Sequence, residues 1–394
     1  MSHTRRPSPA LDSAATFPWR SGNRFKLLQE GRTFFADVLQ AIEAAEHSIR
    51  IEVYVFESGH LADRVIESLC AAATRSVPVQ LLLDAVGSQK LNDADRERLA
   101  QSGVSLSVFN RFFPHPQLSD IKRDHRKMFI IDERVAYVGG ACITDGYWDP
   151  VRDVCDWHDL MLRVTGPVVG DCVTLFDFRW NRLENGYHHP HPGRFEQVSP
   201  GLHDGCCRLG YTSGLPHKGL VADIAERIRS ARRRVWMVTP YFFPVEAIAE
   251  ALYEAAERGV DVQLFLAGEK TDHPWVREAG RGFFGRFIER DVTIYELDDQ
   301  MLHAKVLVAD NWLSVGSCNL DVWGANRNLQ ANLDVYDAGC LEQFESLFAD
   351  YRTRFRRVSA EDWYSRSAGK RVSQAVFHFV GATVRRVFVR RQVD

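Results

Sequence analysis

The chain has 394 residues, of which 45% are hydrophobic and 26% are charged, and its formal net charge is −3. This length accommodates two or three globular domains with buried cores. The near-neutral balance excludes a global field that would select nucleic acid. No apolar run approaches the length of a membrane-spanning helix, so we expect no transmembrane segment.

The N-terminal residues 1–22 are rich in Ser, Pro, Ala and Arg and lack the hydrophobic core of a signal peptide. We therefore predict that this segment is disordered. The eight cysteines are scattered, with Cys206 and Cys207 adjacent and no C-x-x-C pair. This pattern indicates reduced cytosolic thiols rather than a disulfide framework.

From residue 23 onward, helix-like and strand-like patterns alternate. Apolar residues at i, i+3 and i+4 predict helices, and short β-branched runs predict strands. In the first half these patterns predict helices at residues 33–46 and 61–74, and strands at residues 48–56, 79–84 and 104–109. The alternation predicts mixed sheets covered by helices.

The second half repeats these elements in the same order. It has predicted helices at residues 220–232 and 247–257, and predicted strands at residues 234–242, 260–266 and 292–297. Two α/β units can look alike by chance. The shared order, which ends in a shared motif, favours a duplication.

The predicted boundaries divide the chain into a domain at residues 23–186, a linker at 187–205, a second domain at 206–366 and a tail at 367–394. Pro and Gly in the segment 187–193 mark the linker. Its three histidines, His188, His189 and His191, are a candidate metal site. A solvated loop is the favoured interpretation, because no Cys or carboxylate lies at ligand spacing, and we predict no metal site.

A short motif, H-x-K-x-x-x-x-D, occurs once in each half. The first copy contains His125, Lys127 and Asp132, and the second contains His303, Lys305 and Asp310. Each is followed by a turn of small residues, Gly139-Gly140-Ala141-Cys142 in the first half and Gly316-Ser317-Cys318-Asn319 in the second. Two copies with matching flanks indicate a duplicated half of an active site.

The four apolar residues after each lysine predict a buried strand, on which residues i and i+2 share a face. The histidine and lysine of each motif should therefore point the same way. A neutral imidazole can attack phosphorus, an imidazolium can protonate a leaving alkoxide, and an ammonium can bind a phosphate oxygen. Two such units around one phosphodiester suit phosphoryl transfer without a metal. The alternative for a single motif is a strand His and Lys satisfied by local hydrogen bonds.

These motifs resemble those of the phospholipase D superfamily, and more closely its bacterial cardiolipin synthase branch. The resemblance covers residues 23–364. The stretches that carry it are Asp124-His125-Arg126-Lys127, Trp157-His158-Asp159, Thr239-Pro240-Tyr241-Phe242, Arg258-Gly259-Val260-Asp261-Val262 and Val315-Gly316-Ser317-Cys318-Asn319-Leu320-Asp321. It implies two duplicated α/β/α sandwich domains with mixed sheets and an active site at their interface.

The resemblance also implies a two-step transfer with no cofactor. One histidine attacks a phospholipid phosphate and forms a phosphohistidine, while the other protonates the leaving alcohol and then deprotonates the acceptor. In this branch the acceptor is phosphatidylglycerol, which reacts with a second phospholipid donor, and the product is cardiolipin. The alternatives are a hydrolytic phospholipase D, a nuclease or other phosphodiesterase of the superfamily, and a degenerate scaffold.

The roles of the two histidines are assigned from the residues expected behind them. In the superfamily an acidic residue on the strand after each motif supports that motif's histidine, and Asp159 matches this position in the first half. The matching residue in the second half is the neutral Gln330, for which Asn332 and Asp334 are alternatives. We therefore predict that His125 is the nucleophile and His303 the acid/base, with reversed roles left open. Asp132 and Asp310 are expected to anchor the fold.

Further substrate-binding or supporting residues follow from the same resemblance. They are Gly140, Ser317, Asn319 and Tyr241, and the loops with His273 and Trp275 resemble substrate-pocket loops. Aromatic core packing is the alternative for Tyr241 and Trp275. The family usually has Asn at both turns, but the first half has Cys142. Two explanations of this difference stay open. A backbone N–H or a water replaces the amide, or the choice of substrate is altered.

The tail is basic and apolar. Residues 370–394 contain six Lys or Arg residues and one acid, with Val and Phe at roughly helical spacing. This pattern is typical of an interfacial helix, although a helix docked on the protein's own core is the alternative. We predict peripheral attachment to the cytoplasmic side of the cell membrane, a phospholipid membrane as partner, and no nucleic-acid partner.

Overall fold

The computed structural model describes residues 16–110, 122–185, 204–212, 218–321 and 328–367, together with Gly369, Gln374 and Phe377. Predictions for residues 1–15, for the linker histidines and for nearly all of the tail lie outside the described residues. The prediction of disorder was wrong for residues 16–22, because the N–H groups of Phe17 and Arg20 donate to the carbonyls of Leu209 and Cys207 at 2.8 and 2.7 Å. None of the described helices is long and apolar enough to cross a membrane. All eight cysteines are free thiols, as predicted.

The first half forms a mixed sheet. Its strands are β1 (Arg24–Gln29), β2 (Ile49–Val53), β3 (Val79–Asp84), β4 (Ser105–Phe109), β5 (Met128–Ile131), β6 (Val135–Gly139) and β8 (Leu160–Thr165). They lie in the order β1-β8-β6-β5-β2-β3-β4. Strands β2, β3 and β4 are parallel to one another, and the other neighbours are antiparallel.

The second half builds the same sheet again. Its strands are β9 (Cys206–Tyr211), β10 (Arg234–Thr239), β11 (Asp261–Ala267), β12 (Thr293–Leu297), β14 (Val306–Ala309), β15 (Trp312–Gly316), β16 (Ala331–Tyr336) and β17 (Arg356–Arg357). They lie in the order β9-β16-β15-β14-β10-β11-β12-β17. Apart from the additional edge strand β17, order and direction match the first sheet strand for strand, which confirms the predicted duplication.

Helices cover both sheets. They are α1 (Glu30–Glu43), α2 (His60–Thr74), α3 (Asp93–Gln101), α4 (Val168–Asn185), α5 (Lys218–Ser230), α6 (Glu246–Glu257), α7 (Pro274–Arg281), α8 (Phe284–Ile288), α9 (Ala338–Arg354) and α10 (Ala360–Tyr364). Helices α1, α2, α5 and α6 bury one apolar face each and correspond to the four predicted helices. The predicted α/β class with two mixed sheets is therefore observed.

One of the three hydrophobic clusters is shared by the two halves. Strands β6 and β8 contact β15 and β16, and residues such as Val138, Leu162, Val315 and Leu333 belong to a single buried cluster. Helix α4 also packs on β9 of the second half, and α9 packs on β1 of the first half. This exchange of helices fixes the two motifs relative to each other.

Candidate active site

Each H-x-K segment lies just before its predicted strand. Strands β5 and β14 begin at Met128 and Val306, immediately after the two lysines. The lead-in to each motif pairs with the opposite half. A short strand β13 (Met301–Leu302) runs parallel to β7 (Trp157–His158) of the first half. In the same way, a parallel bridge joins Asp124 to Leu329 of the second half.

This crossed pairing exchanges the residues that support the histidines. The His303 N–H donates to the His158 carbonyl at 2.7 Å, and the His125 N–H donates to the Leu329 carbonyl at 2.9 Å. Each histidine side chain therefore lies beside the residue that follows its backbone hydrogen-bond partner in the sequence. Asp159 Oδ2 lies 2.7 Å from His303 Nδ1, and Gln330 Oε1 lies 3.0 Å from His125 Nδ1.

The prediction that Asp159 supports His125 was therefore wrong. It assumed that support comes from the same half, whereas the pairing between halves places it across the interface. The alternatives to Gln330 were also wrong. Asn332 accepts a hydrogen bond from the Cys318 N–H at 3.1 Å, and Asp334 pairs with Arg208 at 2.9 Å.

The small residue behind each histidine suits the side chain that contacts that histidine. A Cβ atom on Gly140 would lie 2.4 Å from both carboxylate oxygens of Asp159, so only glycine leaves room for this carboxylate. At the equivalent position, Ser317 donates to Gln330 Oε1 at 2.7 Å and accepts from the Ala331 N–H at 3.0 Å. The serine hydroxyl thus holds the amide oxygen of Gln330 towards His125.

Both lysines are buried, at 1% and 3% exposure for Lys127 and Lys305. Lys127 Nζ donates to the His125 carbonyl at 2.6 Å, and Lys305 Nζ donates to the His303 carbonyl. Burial lowers the pKa of Lys127 to about 8. Burial likewise lowers the pKa of Lys305 to about 7, against the opposing effect of Asp159. A bound phosphate would restore both ammonium charges, because an adjacent anion favours the protonated form.

Burial also changes the titration of the groups that would react. It lowers the pKa of His125 and of His303 well below the ordinary value, with the two lysines acting in the same direction. Burial raises the pKa of Asp159 to about 7, although Lys305 opposes this. In the absence of an anion the site therefore favours neutral imidazoles, which is the form that attacks phosphorus.

The two motifs open into one cavity of about 650 Å³. Its lining includes His125, Lys127, Cys142, Tyr241, His273, Trp275, His303 and Asn319. Tyr241 and Trp275 thus line the cavity rather than only packing in a core, as the resemblance implied. Burial raises the pKa of the Cys142 thiol, so this residue is a neutral small group at the position of the missing amide.

Comparison with known proteins agrees with this arrangement. The family model described as "Cardiolipin synthase, PLD-like domain" matches residues 38–159 and 224–352. The chain belongs to the cardiolipin synthase family of phospholipase D-like proteins. It is 31% identical over 374 residues to cardiolipin synthase A of Shigella boydii, covering 91% of this chain and 75% of that protein. The same values hold for cardiolipin synthase A of Escherichia coli.

Two solved structures share the fold at low identity. Phosphatidylserine synthase of Haemophilus influenzae has a TM-score of 0.74 at 14% identity, and the match covers 94% of this chain and 96% of that one. Polyphosphate kinase of Porphyromonas gingivalis has a TM-score of 0.60 at 14% identity, covering 92% of this chain and 53% of that one.

In this family member the motif aspartates lie behind the site. Asp132 accepts hydrogen bonds from the backbone N–H groups of residues 46, 47 and 48 at 2.7–3.2 Å. Asp310 accepts from residues 232, 233 and 234 at 2.8–3.1 Å. Both tie the turn before the neighbouring strand to the end of the motif strand, as expected for anchoring residues.

Tyr147 is a site residue that sequence reasoning missed. Its hydroxyl lies 2.9 Å from His303 Nδ1 and donates to the Gly140 carbonyl at 3.2 Å. Because its one proton is used on the carbonyl, the hydroxyl can accept from an Nδ1–H. As acceptors, Tyr147 and Asp159 favour the tautomer of His303 whose Nε2 lone pair is free. Lys305 Nζ also lies 2.8 Å from Nδ1, and its ammonium form acts against this tautomer. No local pattern marks this tyrosine, since its partner is in the other half.

A separate group of side chains has metal-ligand spacing. His60 Nδ1 lies 3.0 Å from Asp149 and 3.7 Å from Asp145. Both carboxylates have other partners. Asp145 accepts from the N–H groups at the start of α2, and Asp149 accepts from Arg152 Nε at 2.6 Å. None of the three lines the cavity, so this cluster contributes nothing to the site.

Proposed function

We propose that the protein moves a phosphatidyl group from a donor phospholipid to phosphatidylglycerol and forms cardiolipin through a phosphohistidine intermediate. As a member of the cardiolipin synthase family it is a phosphatidyltransferase, and its substrates are phospholipids. The observation that carries the proposal is the pair of motif histidines that line one cavity, each held by a residue of the opposite half.

In this proposal His303 attacks the phosphate, and electrostatics support that role. Phosphorylation of Nε2 with Nδ1 protonated leaves a cationic ring, and the buried carboxylate of Asp159 stabilises that charge. At His125 the group beside Nδ1 is the neutral amide of Gln330. The His125 imidazolium is therefore the stronger acid and suits protonation of the leaving alcohol, after which the neutral ring accepts the acceptor's proton. The sequence-based assignment is thus reversed, since the support on which it rested belongs to the other histidine.

The other site residues take supporting roles in this proposal. Lys127 and Lys305 hold the phosphate oxygens, and Asn319 offers an amide to the same group. No metal or cofactor takes part. Peripheral attachment to the cytoplasmic face of the membrane, through the basic tail, is part of the proposal because the substrates are membrane lipids.

Product analysis on defined vesicles tests this function. Purified protein incubated with phosphatidylglycerol and a second phospholipid should form cardiolipin and release the donor's headgroup alcohol. Phosphatidic acid without cardiolipin would identify a hydrolase instead. Cleavage of nucleic acid, with no lipid turnover, would place the protein among the nucleases of the superfamily.

The histidine roles are tested by covalent labelling. With a phosphatidyl donor labelled in its diacylglycerol phosphate, His303→Ala should abolish labelling of the protein. His125→Ala should still permit slow labelling when the donor carries a nitrophenol leaving group, because this alcohol departs without a general acid. The opposite pattern would restore His125 as the nucleophile.

A further inference from the structure

The cavity has chemically different surfaces. Lys127 presents an ammonium next to the histidines, whereas the loop between β11 and α7 presents a carboxylate, Asp272. The Asp272 side chain is about one-third exposed, at 32%, and the Tyr241 hydroxyl donates to its two oxygens at 3.0 and 2.8 Å. His273 Nε2 lies 3.7 Å from Asp272 Oδ2, a longer contact that leaves the carboxylate accessible to a second cation. The Tyr241 ring in turn lies 6.4 Å from the His303 ring. A negative charge is therefore fixed one aromatic ring away from the proposed nucleophile.

A second acceptor, contributed by the same half, has no hydrogen-bond partner among the residues that the structure describes. Asn319 is only 6% exposed and lines the cavity, and its Oδ1 atom is buried without a donor. A buried acceptor left unpaired destabilises the protein, so a ligand that supplies a donor here binds more tightly. This observation is independent of Asp272 and calls for the same property in the ligand, an N–H or O–H group.

Aromatic rings complete this surface. Tyr241, Trp275 and Trp157 line the cavity, and the Trp157 ring lies 5.3 Å from that of His303. Aromatic faces attract cations, and they do so more strongly where water is excluded. Ammonium donors near the phosphate position and a carboxylate with π faces beside it match a ligand that is negative at its phosphate and positive at its headgroup.

We infer that this surface, formed by Asp272, Asn319, Tyr241 and Trp275, binds the primary ammonium of an amino-alcohol headgroup. The phosphatidyl donor is then a zwitterionic phospholipid such as phosphatidylethanolamine, and phosphatidylglycerol is the acceptor. A primary ammonium has three N–H donors, enough for the carboxylate and the unpaired amide oxygen. A quaternary ammonium has no donor, and a glycerol headgroup has no charge for Asp272 to attract. The inference rests on the proposed function and names its donor.

The transfer balances with this donor. His303 Nε2 forms a bond to phosphorus, and the bond from phosphorus to the ethanolamine oxygen breaks as that oxygen takes the proton of His125. A hydroxyl of phosphatidylglycerol then attacks phosphorus, its proton passes to His125, and the bond from phosphorus to His303 breaks. The products are ethanolamine and cardiolipin, and both histidines return to their starting state.

A competition within one vesicle population tests the inference. Vesicles contain equal mole fractions of phosphatidylethanolamine labelled with ¹⁴C in its ethanolamine and phosphatidylglycerol labelled with ³H in its headgroup glycerol. The ratio of ethanolamine to glycerol release by the full-length protein measures donor choice and is independent of the amount of active protein. We expect a ratio of about ten or more, the effect of one charge–charge contact in a partly desolvated site.

The variant Asp272→Asn should reduce this ratio about tenfold, because the amide keeps the shape and loses the charge. The matched control is Asp291→Asn, which removes one acidic charge from an exposed turn of the same half. Asp291 has φ of 59°, a conformation that Asn adopts readily. Its ratio should equal that of the native protein.

A native ratio near or below one, or an unchanged ratio in Asp272→Asn, would overturn the inference while the proposed transfer stands. Release of neither label would overturn the proposed function and the headgroup assignment with it. Release of label with phosphatidic acid as the lipid product would overturn transfer alone, since the ratio still reports which headgroup the surface accepts.

Discussion

At the scale of single residues, the site differs between its halves in matched sets. Asp159 packs against Gly140 and contacts His303. Gln330 accepts a hydrogen bond from Ser317 and contacts His125. A carboxylate needs space and a nearby charge, whereas an amide needs a donor to fix which end faces the imidazole. The identity of the small residue is therefore tied to the identity of the support.

Gly140→Ala should lower the rate of transfer about 10- to 100-fold, because the added Cβ forces the Asp159 carboxylate away from His303 Nδ1. Steady-state kinetics with the native donor measures this loss. The control is Ser317→Ala, which removes one hydrogen bond to Gln330 without adding an atom and should cost less. A native rate in Gly140→Ala would show that Asp159 does not orient the histidine.

The pH dependence follows from two groups that both contact His303. Asp159 has a pKa of about 7 and is needed as the anion, while Lys305 has a pKa of about 7 and is needed as the cation. We expect kcat/KM to fall on both sides of about pH 7. The alkaline decrease in kcat should begin at a higher pH, because bound phosphate raises the pKa of the lysine. In Lys305→Arg the alkaline fall should disappear, since guanidinium stays charged. An identical alkaline fall in that variant would exclude Lys305 as its source.

At the scale of elements, the sequence predicted what local patterns determine. The strand predicted at residues 79–84 is observed as Val79–Asp84, and the four amphipathic helices lie within a few residues of their predicted bounds. Helix α3 was missed because it is mostly polar and buries only Asp95 and Leu99. The His-x-Lys segments were predicted on strands but end just before them, since there the backbone pairs with the other half.

The motif aspartates stabilise the contacts between neighbouring secondary-structure elements. Asp132 has φ of 54° and accepts from three backbone N–H groups. Burial acts to raise its pKa, but these N–H groups outweigh burial and hold the pKa below its usual range. Asp132→Ala loses the acceptor and the tolerance for positive φ, and should lower the free energy of unfolding by about 2–3 kcal/mol.

Denaturant unfolding measures this change, and Asp132→Asn is the control because it keeps an acceptor and tolerates positive φ. The rate per folded molecule should be unchanged in both variants. A stable Asp132→Ala protein with a low rate would instead assign the aspartate to the chemistry. Asp310→Ala, which loses the equivalent hydrogen bonds, should behave in the same way.

At the scale of the whole molecule, the active site exists only because the halves are interlocked. The sequence identified the two motifs and the duplication, and with them some of the residues that line the cavity. It did not reveal which half supports which histidine, because β13 and β7 are joined by a contact between Met301 and Trp157 that no local pattern encodes. Tyr147 was missed for the same reason, and its partner His303 lies 156 positions away.

The attachment of the molecule to its substrate surface is tested through the tail. Gln374 is buried and donates to Glu278 at 3.1 Å. A chain that ends after Phe377 keeps this contact and loses four of the six cations of the tail, Arg385, Arg386, Arg390 and Arg391. Each arginine contributes about 1 kcal/mol at an anionic leaflet, and this attraction falls as salt rises. The truncated protein should therefore sediment less with phosphatidylglycerol vesicles at low salt, while it turns over a short-chain soluble donor at the native rate. Vesicle binding that is equal in the two proteins and insensitive to salt would exclude the tail as the anchor.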